Sequence, residues 1–132
     1  MTMPLFDGPE SGPFADSKIT PTAMERTVAE VVWGHRGRKQ AISLAWLCKV
    51  VGKSERTVKG LIEQLVVTHR MRIGGYRGAD GNVGYAVIVD AEDLAATVGP
   101  YKAQIISMWR RLRVLLNRTE LAELQGQMRL ED

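Results

Sequence analysis

The spacing Cys48-x3-Gly52-x5-Val58 constrains this chain more than any other feature in it. Leu44 to Val51 reads as a short helix with Leu44, Leu47, Cys48 and Val51 on one side. Val58, Leu61, Ile62 and Leu65 mark one face of a second helix, because apolar residues recur there at intervals of three and four. Gly52 stands where a helix end takes a left-handed residue, and Ser54 where a hydroxyl accepts from a first-turn N–H. Two short helices joined by so tight a turn leave a narrow crevice. The first needs a small residue there, the turn needs glycine, and the second needs a branched apolar residue packing back. Cys48, Gly52 and Val58 meet these needs in order.

The flanking segments extend this pair into a domain. Thr20-Pro21 reads as an N-cap and first helical position, followed by Met24, Val28, Val31 and Val32 on one helix face, with Gly34 and Gly37 ending the segment. Residues 35–40 form a basic loop, and Ala41-Ile42-Ser43 a very short strand. After the second motif helix the period changes. RMRIGGYR alternates loosely, Asp80-Gly81 is a turn signal, and VGYAVIV is rich in β-branched residues, so a β-hairpin is expected with glycines at its tip. Asp90 then caps a short helix from Ala91 to Val98, and Gly99-Pro100 punctuates before a longer helix. That helix carries Tyr101, Ile105, Met108, Trp109, Leu112, Leu115 and Leu116 at helical spacing. A last helix spans Glu120 to Leu130. The expected fold class is mainly α with a small β-hairpin wing. Its parts are a flexible N-terminal arm over 1–18, a winged domain over 19–89 and a C-terminal helical extension over 90–132.

Composition and charge narrow the function. With 132 residues, 45% hydrophobic and 25% charged, the chain suits one compact domain with tails rather than a disordered or fibrous class. No apolar run approaches the roughly 18 residues of a membrane span, and the N-terminus lacks a basic start and an apolar core, so a cytoplasmic protein is expected. The lone Cys48, with His35 and His69 the only histidines, leaves no zinc spacing, so no metal is expected. Gly74-Gly75-Tyr76-Arg77-Gly78 is not followed by Gly-Lys-Ser/Thr, which argues against a nucleotide loop. No nucleophile stands beside a base in the sequence, so neither catalysis nor a cofactor is expected. The net charge of +3 hides strong segregation: −3 over residues 1–32, +8 over 33–79, −4 over 80–98, +5 over 99–118 and −3 over 119–132. Cations concentrated on a helix pair and its hairpin point to a polyanionic partner.

From Leu44 to Glu63 the sequence resembles the helix-turn-helix superfamily of bacterial and phage DNA-binding proteins. With the hairpin, the resemblance becomes one to the winged variant over about residues 20–89. Lys53 departs from the family pattern, which often has an apolar residue after the turn glycine. The resemblance implies double-stranded DNA as partner, with the second motif helix in the major groove. Arg56 and Lys59 are then the candidates for guanine N7 and O6. Lys53 and Ser54 become phosphate contacts at the helix N-terminus, and Glu55 a reader of cytosine N4 that lowers general affinity. Arg36, Arg38 and Lys39 in the basic loop, and Arg72 and Arg77 in the wing beside Arg70, would add backbone or minor-groove contacts. About five neutralised phosphates imply a log–log salt slope of about −4 to −5. Gly60, in mid-helix, hints at close approach to a ligand. The role implied is a transcriptional regulator or an accessory of mobile-element replication.

Trp46 and Val50 lie one turn apart on the side of the first motif helix that the family geometry leaves outward. Their cover is either intramolecular, by the first helix or the apolar stripe around Trp109, or a partner protein or second subunit. Trp46, Val50 and Trp109 are therefore candidate partner-interface residues, and the C-terminal helices a candidate homodimer surface. The competing functional reading is a protein-interaction module on the same scaffold.

Overall fold

The computed structural model describes residues 12–78 and 80–130. The chain forms helix α1 (Ala23–Trp33), a 3-10 turn (Arg38–Gln40), strand β1 (Ile42–Ser43), helices α2 (Leu44–Val51) and α3 (Glu55–Val67), strands β2 (Ile73–Arg77) and β3 (Val83–Val87), and helices α4 (Ala91–Leu115) and α5 (Arg118–Leu130). It divides into two compact units, Met1–Thr97 and Val98–Asp132. Three helices and a three-stranded antiparallel sheet make the first unit a winged helix-turn-helix, with strand order β1-β3-β2.

Local chemistry accounts for most helix ends. Gly52 is left-handed, with φ 70°, and its N–H donates to the Cys48 carbonyl at 2.8 Å, so the α2–α3 turn closes as the spacing predicts. The start of α1 differs from the expectation at Thr20-Pro21. Thr22 is the N-cap, because its hydroxyl accepts from Glu25 N–H at 3.1 Å while the Glu25 carboxylate accepts from Thr22 N–H at 2.8 Å. That reciprocal box needs a carboxylate three residues on, and the residue three after Thr20 is Ala23.

The core joins Val28, Ala29 and Val32 of α1, Leu44 and Leu47 of α2, and Val58, Ile62 and Leu65 of α3, with Met71, Ile73 and Val87 from the wing side. Cys48 is half-buried at the crevice, where burial and the nearby Glu55 carboxylate push its thiol up, keeping it a protonated packing group. Residues 1–11 of the expected arm lie outside the described residues, but Phe14 packs against the core. It meets the His69 ring edge-on at 5.3 Å.

His69 is 1% exposed. Its Nδ1 lies 2.7 Å from Ser17 Oγ and its Nε2 lies 3.1 Å from Glu25 Oε1. The three side chains fall in a Ser–His–Glu row, yet each is tied into structure. Ser17 Oγ donates to the Ile19 carbonyl, Glu25 caps α1, and the ring is sealed beneath Phe14. The row fastens the chain before α1 to the segment between α3 and the wing.

In the wing, Ile73 pairs with Val87 and Arg77 with Val83. Ile42 and Ser43 extend the sheet by pairing with Tyr85 and Gly84. Gly74 and Gly75 are strand residues of β2. A Cβ on Gly74 would collide with the Tyr76 hydroxyl and Thr97 Oγ1, because the Tyr76 side chain folds back across that glycine and its hydroxyl oxygen accepts from the Thr97 hydroxyl at 3.2 Å. The tip is built by Gly78 and Gly81. Gly81 has φ 81° and donates to the Gly78 carbonyl at 2.9 Å.

Asp90 caps α4 by accepting from Asp93 N–H at 2.7 Å. A further difference from the sequence reading lies in the next helix: α4 continues through Gly99-Pro100 to Leu115. Proline removes one backbone donor and normally drives the preceding residue out of the helical region by a clash with its Cβ. Gly99 has no Cβ to clash, which removes one obstacle to a continuous helix; the lost hydrogen bond and the crowding of the ring against the preceding turn remain. In the second unit, Asn117 and Glu120 form a reciprocal cap on α5, at 2.9 and 3.1 Å.

Candidate nucleic-acid interface

The interface is built outward from the Gly52 turn. Val58, Ile62 and Leu65 bury one face of α3, so at about 100° per residue Arg56, Gly60 and Glu63 share the opposite face, with Lys59 beside them. Arg56, Lys59, Gly60 and Glu63 are all exposed. A Cβ at Gly60 would meet nothing within 4 Å, so the chain itself gives no packing reason for glycine there.

Lys53 and Glu55 flank the cap and are exposed as well. Ser54 is more committed than expected. Its oxygen accepts from Thr57 N–H at 3.3 Å and its hydroxyl donates to Thr57 Oγ1 at 3.0 Å, so what it leaves to an anion is the free backbone N–H groups of the first turn. Lys53, Ser54, Glu55, Arg56 and Lys59 thus lie together at one end of one helix.

The basic loop is not a uniform patch. Arg38 donates to Asp93 and Glu92, each at 2.8 Å, and lies 3.9 Å from Asp90, so its guanidinium is engaged by the acidic start of α4. Asp93 is 1% exposed. Burial pushes its carboxyl up, but hydrogen bonds from Val89 N–H, the Arg38 guanidinium and Arg38 N–H outweigh that and hold it below the usual aspartate range. The sequence reading gave Asp90 a capping role and Glu92 and Asp93 none. That they would capture Arg38 was not visible, because the partners lie 55 positions apart in the chain.

Arg36 stacks on the Trp33 ring at 4.5 Å, and one of its terminal nitrogens is buried without a hydrogen-bond partner. Lys39 is exposed on the 3-10 turn. At the wing, Arg72 is exposed on the approach to β2 and Arg77 on its last residue. Arg77 donates to the Gly81 carbonyl at 2.8 Å and so braces the tip turn. Asp80 completes that turn by accepting from Asn82, whose N–H and side-chain amide hold the carboxyl low. Arg70, which links α3 to the wing, has φ 57°, a left-handed conformation that an L side chain rarely adopts.

Trp46 and Val50 are 59% and 51% exposed, so among the described residues of the first unit nothing covers them. Cys48 points toward α3, where it feels the charges of Glu55 and Lys59. Trp46, two residues earlier, projects about 160° away around the helix. It therefore faces away from α3, with the Lys49 ammonium 6.0 Å above its ring. Trp109, in the second unit, is half-buried.

Among the described residues no helix is long and apolar enough to cross a membrane, and no cluster of three or more His, Cys, Asp or Glu could hold a metal ion. No protein-family model matches the chain and no curated protein matches it. Among solved structures it is similar to a mutant of MepR from Staphylococcus aureus, at 13% identity and TM-score 0.41 over 84% of this chain and 77% of that one. It is also similar to ZitR of Lactococcus lactis, described as a zinc-responsive MarR family member, at 10% identity and TM-score 0.40 over 98% of this chain and 81% of that one. At such values the fold rests on the chain's own geometry: three helices, a Gly52 turn and a hairpin sheet, which together make a winged helix-turn-helix.

Proposed function

We propose that this protein binds double-stranded DNA, with α3 in the major groove and the wing on adjacent backbone or minor groove, as a transcriptional regulator or an accessory of mobile-element replication in the cytoplasm. The observation that carries this reading is the state of the cations on α3. Lys53, Arg56 and Lys59 are exposed on one end of an otherwise well-packed helix, and among the described residues none takes part in an ion pair. Arg38, by contrast, is held within the chain. Arg56 and Lys59 then read guanine, Lys53 and the first-turn N–H groups hold phosphate, and Glu55 selects for cytosine at the expense of general affinity. Lys39, Arg72, Arg77 and Arg36 extend the contact to the backbone.

With Arg38 withdrawn, about four neutralised phosphates give a log–log salt slope of about −3.6. Titration of a random-sequence duplex pool at several salt concentrations measures it. Binding that ignores salt, or that survives the Arg56→Ala/Lys59→Ala double change unaltered, would overturn the reading.

A second reading is supported by one observation: Trp46 and Val50 form an uncovered apolar pair on the side of α2 away from α3. On that reading the scaffold presents them to a partner protein. Trp46→Ala then abolishes partner capture while leaving duplex binding intact, and loss of duplex binding instead would count against it.

A further inference from the structure

Ser17, Glu25 and His69 take no part in the DNA interface, and the protons among them balance in one way. A hydroxyl donates once and accepts twice. Ser17 Oγ donates to the Ile19 carbonyl at 2.8 Å and accepts from Ile19 N–H at 3.3 Å. Its remaining lone pair faces His69 Nδ1 at 2.7 Å, so Nδ1 carries a proton. Across the ring, Nε2 lies 3.1 Å from Glu25 Oε1. Thr22 N–H donates to that carboxylate at 2.8 Å and keeps it ionised below the ordinary glutamate range. An ionised carboxylate has nothing to donate, so Nε2 carries a proton too. A ring protonated on both nitrogens is an imidazolium, and here it is 1% exposed beside the carboxylate that balances its charge.

A neutral ring has one N–H for these two acceptors. Either Ser17 gives up the Ile19 carbonyl to donate to Nδ1, or an acceptor is left facing an acceptor. In both cases Glu25 loses its counter-charge. The segment over residues 14–19 bears the loss, because Ser17 ties it across 52 positions to the link between α3 and β2. The rest of its hold comes from Phe14, which packs on the core, meets the His69 ring edge-on at 5.3 Å and has the Arg26 guanidinium 5.4 Å above its own ring.

We propose that His69 is a pH-operated latch: as imidazolium it fastens residues 14–19 to α1 and to the link after α3, and its deprotonation loosens that strap. The latched form holds a proton that the loosened form releases, so rising pH favours loosening. The other charges flanking these residues are Asp16 and Lys18 beside Ser17, Arg26 on α1, Glu63 on α3, and Arg70 and Arg72 after His69. All six are exposed, where water and salt screen them, so Glu25 is the charge that holds the ring's proton. The proposal is independent of the DNA reading.

The test is nuclear magnetic resonance of the full, isotope-labelled chain without DNA, titrated from mildly acid to mildly alkaline pH. Ring nitrogen shifts report the protonation of His69, with His35 as internal reference, and nitrogen relaxation reports the backbone order of residues 15–18. While the strap is ordered, both His69 ring nitrogens are expected to be protonated. As the ring loses its proton, backbone order is expected to fall with the same midpoint. Ser17→Ala removes one acceptor from the imidazolium and is expected to lower that midpoint by about one pH unit, since a hydrogen bond to a charged group shifts a proton equilibrium by roughly tenfold. His69→Gln, with its fold checked by circular dichroism, has no proton to lose, so its strap order is expected to be flat with pH. A single protonated ring nitrogen in the ordered strap, or an unmoved midpoint in Ser17→Ala, overturns the imidazolium. Strap order that stays constant across the ring's titration, or that still follows pH in His69→Gln, overturns the latch. None of these readouts bears on whether α3 binds DNA.

Discussion

Replacing Gly60 by alanine is expected to strengthen the fold and weaken DNA binding, two effects of opposite sign from one methyl group. Glycine in an exposed helix interior is less favourable than alanine by about 0.8–1 kcal/mol. Here that difference is recovered in full, because the added Cβ meets nothing within 4 Å. For a domain of this size, about 1 kcal/mol raises the melting temperature by roughly 4–8 °C. Thermal or urea unfolding followed by circular dichroism measures it. On the binding side, Gly60 lies on the same face of α3 as Arg56 and Glu63, so a methyl there holds the helix axis back from the base edges. A tenfold loss of affinity corresponds to about 1.4 kcal/mol, readily seen in a duplex titration beside the wild type. A lower melting temperature would refute the claim that the site is open in the folded chain. Raised stability with unchanged duplex affinity would refute close approach of DNA at Gly60 while leaving Arg56 and Lys59 to be tested separately.

Three further outcomes follow from contacts within the first unit. Arg38→Ala is expected to lower the melting temperature and move acid unfolding to higher pH, because Asp93 stays buried without its cation, while the salt slope of DNA binding stays at its wild-type value. A slope reduced by about one would instead put Arg38 on a phosphate. Glu25 titrates below its ordinary range, chiefly because its carboxylate accepts from Thr22 N–H, with further help from His69. A carboxyl lowered by folding stabilises the native state above its unfolded-state value and loses that contribution as pH falls through the folded value. Glu25→Gln should therefore destabilise at neutral pH and flatten the acid limb of a stability–pH curve, and parallel curves for variant and wild type would contradict this. Gly74→Ala is expected to destabilise by about 1–3 kcal/mol through overpacking against Tyr76 and Thr97, with Tyr76→Ala relieving much of the loss; an equal loss in both backgrounds would place the strain elsewhere.

The chain's own order of residues was enough to determine the helix-turn-helix itself. A left-handed turn at Gly52, a hydroxyl cap at Ser54 and apolar residues at helical spacing in Leu44–Val51 and Glu55–Val67 are each encoded within a few positions, by backbone sterics and by the period of the helix. The hairpin was legible for the same reason, from β-branched alternation around Asp80-Gly81. The outward placement of Arg56 and Lys59 also followed, since burying Val58, Ile62 and Leu65 leaves them no other side. What only the tertiary structure decided are the pairings between distant segments. Arg38 joins Asp93 across 55 positions and His69 joins Ser17 across 52, and no periodicity carries such information. Those pairings clamp Arg38 to the start of α4 and turn His69 into a buried fastener. Chain sterics at Gly99-Pro100 favour a break, because both residues are unfavourable inside a helix, yet the folded chain keeps α4 continuous.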